Sequence, residues 1–188
     1  MTLHSDEVLE NIGIRFEKTL LSLELRSCRN LTDDGIMQMC EGLSGIRTLR
    51  NGEVPVDESS RYRFFNRHDT TSVLKFLNLA DLKQLSNKSM KAIAFNLFPA
   101  LVELSIWGCY KITSEGFLEL CTATRSDNFR RVNYCGCYKI GDDSRLWISS
   151  TFSRVIIYNK LDDFGKDMDY KEYVGMPEAE KNKKNEDI

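Results

Sequence analysis

The sequence predicts an α/β solenoid built from a repeated strand and helix, and two observations carry this prediction. The segment Cys28–Cys40 matches the segment Cys109–Cys121 at both cysteines, at a threonine and at a glycine, and a third copy begins at Cys137. Apolar residues stand in a fixed frame ahead of each copy, so that repeats start at 20, 46, 74, 101 and 129. Steps of about 27 residues are typical of solenoid proteins.

Each repeat is predicted to open with a short strand. Apolar and polar residues alternate in Leu23–Leu25 and Leu104–Ile106, which indicates strands with one buried face that pair in parallel with the next repeat. The same frame is weaker in one copy, which we expect to add a strand between those starting at 20 and 74; its frame residues are Ile46, Leu49, Asn51 and Val54.

A helix is predicted to follow each strand. Thr32 and Thr113 precede acidic residues, a pattern that indicates a helix start. Apolar residues then recur at helical spacing; they are Ile36, Met39, Cys40 and Leu43 in one repeat, Met90, Ile93, Ala94 and Leu97 in another, and Phe117, Leu118, Leu120 and Cys121 in a third. The apolar side of each helix should cover the sheet.

Composition excludes several classes of function. The 188 residues carry 26 basic and 28 acidic side chains, which gives no overall electrostatic reason to bind nucleic acid or an anionic membrane. No apolar run approaches the roughly 20 residues that span a bilayer, and the N-terminus lacks a secretory pattern. We therefore expect an intracellular protein, cytoplasmic or nuclear, whose partner is a protein.

The repeat frame, L-x-x-L-x-L-x-x-C-x-x-I/L-T-x-x-G followed by an apolar helix, resembles the cysteine-containing leucine-rich repeat of F-box receptor proteins and antagonist-of-mitotic-exit proteins. The resemblance covers about residues 5–158 and is strongest for the repeats at 20 and 101. It implies a horseshoe with parallel strands on the concave face and helices on the convex face. It also implies a substrate-recognition array of the kind found in ubiquitin-ligase receptors.

The cysteines and carboxylates indicate structure rather than catalysis. Cysteines recur in one turn register and one helix register, where a small thiol packs well, and metal or disulfide chemistry is the weaker alternative because Cys135 and Cys137 form the one close pair. His4 and His68 are the only histidines, and neither stands in a nucleophile motif. Acidic pairs such as Asp33-Asp34 suit helix starts. We predict no enzyme activity, no metal and no cofactor.

Partner-binding residues are predicted on the concave face, at the strand positions that point away from the helices. These positions form three columns, which are Ser22, Thr48, Phe76, Glu103 and Arg131; then Glu24, Arg50, Asn78, Ser105 and Asn133; then Arg26, Gly52, Ala80, Trp107 and Cys135, which Tyr158 could extend. Aromatic and arginine side chains dominate interface energetics. The predicted contact residues are Phe76, Trp107, Arg131, Arg26, Arg50 and Glu103. Alternatively, Trp107 lies flat across neighbouring strands without a partner.

The segment from Glu53 to Ser72 departs from the repeat, because it contains Pro55 and lacks a helical stripe. Three arginines alternate with aromatic residues in it, and they are Arg61, Arg63 and Arg67. One interpretation is an accessory loop that binds a phosphate-bearing or acidic peptide. The other, which we favour, is an irregular connection whose aromatic rings cover the core.

We predict an array of five to six leucine-rich repeats over residues 1–160, beginning in mid-repeat, and a charged, disordered tail over residues 161–188. The alternative is that this tail lies across the last repeat as an acidic cap. The predicted function is a protein-interaction module like the substrate-recognition array of an F-box ubiquitin-ligase receptor. Skp and cullin components would be partners if an F-box lies on a longer chain. The alternative is a scaffold subunit without ligase linkage, docked permanently into a larger assembly.

Overall fold

The computed structural model describes residues 6–44, 72–98, 100–123, 128–152 and 154–159. Helices and strands alternate along these residues. The helices are α1 (Asp6–Arg15), α2 (Asp33–Leu43), α3 (Asn87–Asn96), α4 (Ser114–Ala123) and α5 (Asp143–Thr151). The strands are β1 (Ser22–Glu24), β2 (Phe76–Asn78), β3 (Glu103–Ser105), β4 (Arg131–Asn133) and β5 (Ile156–Tyr158). None of the helices in these ranges is long and apolar enough to cross a lipid bilayer.

The strands form one parallel sheet in chain order, β1-β2-β3-β4-β5. Equivalent frame residues stand side by side, since Leu23 pairs with Leu77 and Leu104 pairs with Val132. Strands line the concave side and helices the convex side, which confirms the predicted solenoid. The last strand, β5, gives the degraded final repeat a definite register, in which Tyr158 pairs with Asn133. Tyr158 therefore extends the second predicted column and not the third.

The prediction that a repeat starting at 46 adds a strand to this sheet is wrong. Strand β1 is bonded directly to β2, with Ser22 opposite Phe76, so no strand lies between them. Ser27 and Asp81 occupy the same turn of neighbouring repeats although they are 54 residues apart, twice the usual step. The frame is weak in this copy, because a buried Asn51 would need hydrogen-bond partners that the apolar residues of the other copies do not need. Residues 45–71 themselves lie outside the described residues.

The predicted core is confirmed at most frame and helix positions. Frame residues from Leu74 to Val132 are buried, and so are the stripes of α2 and α3. On α4, Phe117 and Leu120 are buried whereas Leu118 is exposed. Leu118 follows Phe117 directly, and one residue turns a helix by about 100°, so both cannot face the sheet.

A ladder of polar contacts links the start of one helix to the start of the helix in the next repeat. The carboxylate of Asp6 accepts hydrogen bonds from the backbone N–H of Thr32 (3.0 Å) and from its hydroxyl (2.6 Å). One repeat on, Asp33 accepts from the backbone N–H and hydroxyl of Ser86 (2.8 and 2.6 Å) and of Ser89 (3.2 and 2.6 Å). These bonds satisfy N–H groups that a helix start leaves unpaired.

The ladder explains the repeated Thr-x-x-Gly of the sequence. In the next repeat the amide of Asn87 accepts from the Thr113 N–H (3.0 Å) and donates to its hydroxyl (2.8 Å). A Cβ atom at Gly116 would overlap the Asn87 side chain, and one at Gly35 would overlap that of Asp6. The threonine thus receives the side chain from the preceding repeat, and the glycine leaves space for it.

Candidate partner-binding site

The sheet brings together three of the predicted contact residues but does not expose them equally. Phe76, Glu103 and Arg131 stand opposite one another on β2, β3 and β4, as predicted. Glu103 is 0% exposed, however, and Arg131 is 9% exposed. Their side chains form an ion pair between Nη1 of Arg131 and Oε1 of Glu103. The interpretation of these two residues as partner contacts is therefore wrong, because a buried charge needs an internal counter-charge and each supplies it to the other.

The second column also stabilises the fold rather than forming a surface. Asn78, Ser105 and Asn133 are buried. Oδ1 of Asn78 accepts a hydrogen bond from the Ala80 N–H (3.0 Å), and Oδ1 of Asn133 accepts one from the Cys135 N–H (3.1 Å). Each asparagine therefore holds the turn that follows its own strand.

Four predicted residues lie outside the described residues, namely Arg50, Arg61, Arg63 and Arg67. The column position predicted for Arg50, between Glu24 and Asn78, is wrong because those two residues pair directly. The accessory-loop prediction for the other three arginines stays a prediction.

The third column brings Arg26 and Trp107 together. The guanidinium of Arg26 lies over the indole of Trp107, 5.2 Å from the ring centroid. Arg26 follows β1 and Trp107 follows β3, while the small, buried Ala80 follows the intervening strand β2. The two long side chains can thus meet across Ala80. The ring has a neighbour within the molecule and remains partly exposed, so the contact positions it at the edge of the sheet.

The turns after the strands share one backbone conformation. The second residue of each turn has a positive φ value, which is 61° at Ser27, 59° at Asp81, 71° at Gly108 and 73° at Gly136. Hydrogen bonds connect neighbouring turns, from the Ser27 N–H to the Ala80 oxygen (2.9 Å) and from the Asp81 N–H to the Trp107 oxygen (2.7 Å). The ladder of the sheet therefore continues into these turns, which gives them a rigid spacing.

Exposed side chains stand on these turns in repeat register, and sequence reasoning missed them as a site. Two positions after the positive-φ residue lie Arg29, Lys83, Tyr110 and Tyr138, and Lys111 and Lys139 follow the tyrosines. We call these six residues the carboxyl-edge row, because parallel strands end at one edge of the sheet. Tyr138 is 90% exposed and Tyr110 is 41% exposed. The signal was the repeated Cys-Tyr-Lys-Ile, which served above only to set the register.

The cysteines of the turn register donate hydrogen bonds to the preceding repeat. Sγ of Cys109 donates to the Leu79 oxygen (3.2 Å), and Sγ of Cys137 donates to the Ile106 oxygen (3.0 Å). Burial raises the pKa of both thiols to about 12. All six cysteines are free thiols, and no three potential metal ligands converge within the described ranges. These thiols are packing groups and hydrogen-bond donors.

Thiol alkylation is expected to follow burial. Raising a pKa from 9.0 to about 12 lowers the reactive thiolate fraction at pH 8 by roughly a thousandfold. Cys28 is half-buried because no described strand precedes β1 to cover it. Timed labelling of the native protein with iodoacetamide, read by mass spectrometry, should modify Cys28 well before Cys109 and Cys137.

The same labelling in guanidinium chloride is the control, in which all six thiols should react at similar rates. Native-state modification of Cys109 as fast as that of Cys28 would contradict the turn register.

Comparisons with known proteins support the fold. No family model matches the chain, and no curated protein matches it. Among solved structures, it is similar to actin-binding site 2 of leiomodin-1, with a TM-score of 0.56 and 15% identity over 82% of this chain and 78% of that one. It is also similar to the C-terminal domain of tropomodulin from Caenorhabditis elegans, with a TM-score of 0.57 and 11% identity over 97% and 96%.

A yeast complex of Rad7 and Elc1 gives a TM-score of 0.48 and 16% identity, over 88% of this chain and 42% of that one. The geometry of the sheet and the two closer likenesses define the chain as an α/β solenoid of the leucine-rich-repeat type. The likenesses to leiomodin-1 and tropomodulin support the fold alone, so the resemblance to F-box and antagonist-of-mitotic-exit proteins depends on the repeat residues.

Proposed function

We propose that the chain is a protein-interaction module and that its binding surface is the carboxyl-edge row together with Trp107. The observation that carries this proposal is the exposure of large aromatic rings in repeat register, above all Tyr138 at 90%. The fold does not require a ring there, since Arg29 and Lys83 occupy the same turn position in other repeats. Tyrosine and tryptophan are enriched among the residues that dominate protein interfaces.

The chemistry of the described residues favours binding over catalysis. A nucleophilic cysteine needs a low pKa and access to solvent, whereas burial raises the pKa of Cys109 and Cys137. The buried carboxylate of Glu103 has a counter-charge in Arg131 and belongs to the core of the sheet. The exposed groups of the carboxyl-edge row are rings and cations, and the nearby Ser27 hydroxyl donates a hydrogen bond to Asp81.

Two kinds of interaction module are candidates, and the second would use a different surface. The resemblance to F-box receptors supports a substrate-recognition array that would act with Skp and cullin components if a longer chain carries the F-box. The alternative is a scaffold subunit docked through the β1 end of the array. Phe16 and Leu21, 45% and 52% exposed there, support this alternative, and β1 pairs with β2 alone among the described strands.

Affinity purification of the full chain from its native cell tests the proposal. Trp107→Ala and Tyr138→Ala should each reduce recovery of the partner about tenfold, since each removes an interface ring. Lys91→Ala on α3 and Glu119→Ala on α4 are the controls and should leave recovery unchanged. Circular dichroism confirms that each variant is folded. Loss of the partner with the helix variants, and not with the ring variants, would contradict the proposal.

The same purification separates the two kinds of module. Skp and cullin peptides in the eluate would support the receptor. A single stoichiometric complex without them, lost in Phe16→Asp and Leu21→Asp but retained in the ring variants, would support the scaffold docked at β1.

A further inference from the structure

We infer that the carboxyl-edge row binds a short acidic segment of a partner protein. This inference rests on the proposed function and adds the chemical class of the partner. Each of the four turns presents a cation or a ring followed by a polar residue, and the two turns after β3 and β4 present a Tyr-Lys pair. The row is therefore a repeated basic and aromatic surface on a chain whose net charge is -2.

Cations exceed carboxylates along this row. Four of its six residues are cationic, and Asp81 is the carboxylate on the same turns, whereas the other nearby acids stand on the helix starts that follow. Asp81 is already engaged, since it lies 3.7 Å from Arg29 and 3.7 Å from Lys83 and accepts a hydrogen bond from the Ser27 hydroxyl (3.3 Å). Among the described residues no carboxylate forms a salt bridge with Lys111 or Lys139. Within this part of the chain, these two lysines therefore lack a carboxylate partner that an external anionic group would have to displace.

Rigid spacing makes the row suited to an extended peptide. Backbone hydrogen bonds between turns fix the side chains along the sheet edge, so binding loses little entropy in the turns themselves. Four adjacent strands at about 4.8 Å span about 14 Å, which matches roughly four extended residues. A peptide of that length can place carboxylates against the lysines and an apolar side chain against Tyr110 and Tyr138.

Acidic residues beyond the turns limit an anionic occupant to a short segment. The helix starts that follow these turns carry exposed acids, which are Asp34, Glu115, Asp142 and Asp143. A long phosphate backbone would extend beyond the turns and be repelled by these acids. A short acidic motif can contact the turns alone. The favoured occupant is therefore an Asp- or Glu-containing protein segment.

A random twelve-residue peptide library displayed on phage and selected on the full chain at low salt tests this inference. Enriched peptides should contain clusters of Asp and Glu beside an aromatic or aliphatic residue. Synthetic copies, measured by fluorescence anisotropy, should bind more weakly as salt rises. The paired change Lys111→Glu and Lys139→Glu should weaken them about tenfold or more.

A matched control carries the same change of charge on another surface. Lys75→Glu at the amino end of β2, combined with Lys91→Glu on α3, should change affinity less than about twofold, because both lysines are exposed and lie away from the turns, where salt screens their charges. Neutral or basic enriched peptides, no enriched peptide at low salt, equal effects of the two double variants, or tighter binding of a duplex DNA or single-stranded RNA probe would each overturn the inference.

Failure of the inference can be distinguished from failure of the proposed function. A native partner that is lost in Tyr138→Ala but retained in Lys111→Glu with Lys139→Glu would overturn the acidic partner and leave the binding surface in place. If recovery of the native partner is unchanged in both variants, the proposed binding surface is overturned as well.

Discussion

Arg131→Ala is expected to destabilise the protein by about 3 to 5 kcal/mol, the usual cost of removing one member of a buried ion pair. The variant leaves the carboxylate of Glu103, which is 0% exposed, without the guanidinium that faces it from the next strand. Within the described residues, Oε2 of Glu103 has no hydrogen-bond partner, so no second donor is in place to compensate. Urea unfolding followed by circular dichroism measures the loss.

Two variants control this prediction. Glu103→Leu combined with Arg131→Met removes both charges and should recover most of the lost stability, because buried ion pairs are often replaceable by apolar residues of similar size. Lys139→Ala removes an exposed cation and should change stability by less than about 0.5 kcal/mol. A loss below about 1 kcal/mol in Arg131→Ala would show that Glu103 reaches water. Arg131→Ala is consequently a test of folding and not of partner binding.

Asp33→Ala is expected to cost about 2 to 4 kcal/mol at neutral pH, because it removes a charged acceptor shared by several donors. Asp33 holds the start of α3 through bonds to the backbone and hydroxyl groups of Ser86 and Ser89. The contact joins residues that lie on either side of segment 45–71. Its loss should weaken the junction between α2 and α3 without exposing the core directly.

The contribution of Asp33 should also depend on pH. Partial burial raises its pKa, but the bonds from Ser86 and Ser89 outweigh burial and hold the pKa below the ordinary value of 3.8. A carboxyl group with a lowered folded-state pKa stabilises the fold fully above its unfolded pKa, and the effect is lost as pH falls through the folded pKa. Wild type and Asp33→Ala should thus converge in stability below about pH 3.8.

Asp34→Ala is the matched control, since Asp34 is the adjacent carboxylate, carries the same charge and is exposed. Thermal unfolding of all three proteins between pH 2.5 and pH 7 tests the predicted pH dependence. A difference between wild type and Asp33→Ala that stays constant over this range, or an equal loss in Asp34→Ala, would contradict the ladder.

Local sequence predicted most helices and strands, because the residues that determine each strand and helix lie within the same repeat. Apolar alternation identified β1 and β3, the repeat frame identified β4, and the threonine and acidic residues identified the starts of α2 and α4. The same reasoning failed for the copy at 46, where four loosely spaced frame residues resembled a strand. Frame spacing cannot tell a repeat from an insertion of similar length, because strand pairing depends on a partner strand that the segment does not encode.

The candidate site was predictable in part. Trp107 and Arg26 were found from their column, and their contact across Ala80 follows once β1, β2 and β3 are known to be adjacent. Part of the carboxyl-edge row was visible in the sequence as the repeated Cys-Tyr-Lys-Ile. It could not be identified as a surface until the parallel strands placed the turns at one edge of the sheet.

The sequence by itself determined the repeat, the strand and helix of each unit and the residues that face the core, because these depend on spacing within about a dozen neighbouring residues. Only the tertiary structure decided which polar side chains of the concave face are surface and which are interior. Glu103 and Arg131 have the composition of a binding face, yet each is buried by pairing with a residue 28 positions away. Exposure at such positions depends on the side chain of the neighbouring strand, which local periodicity does not report.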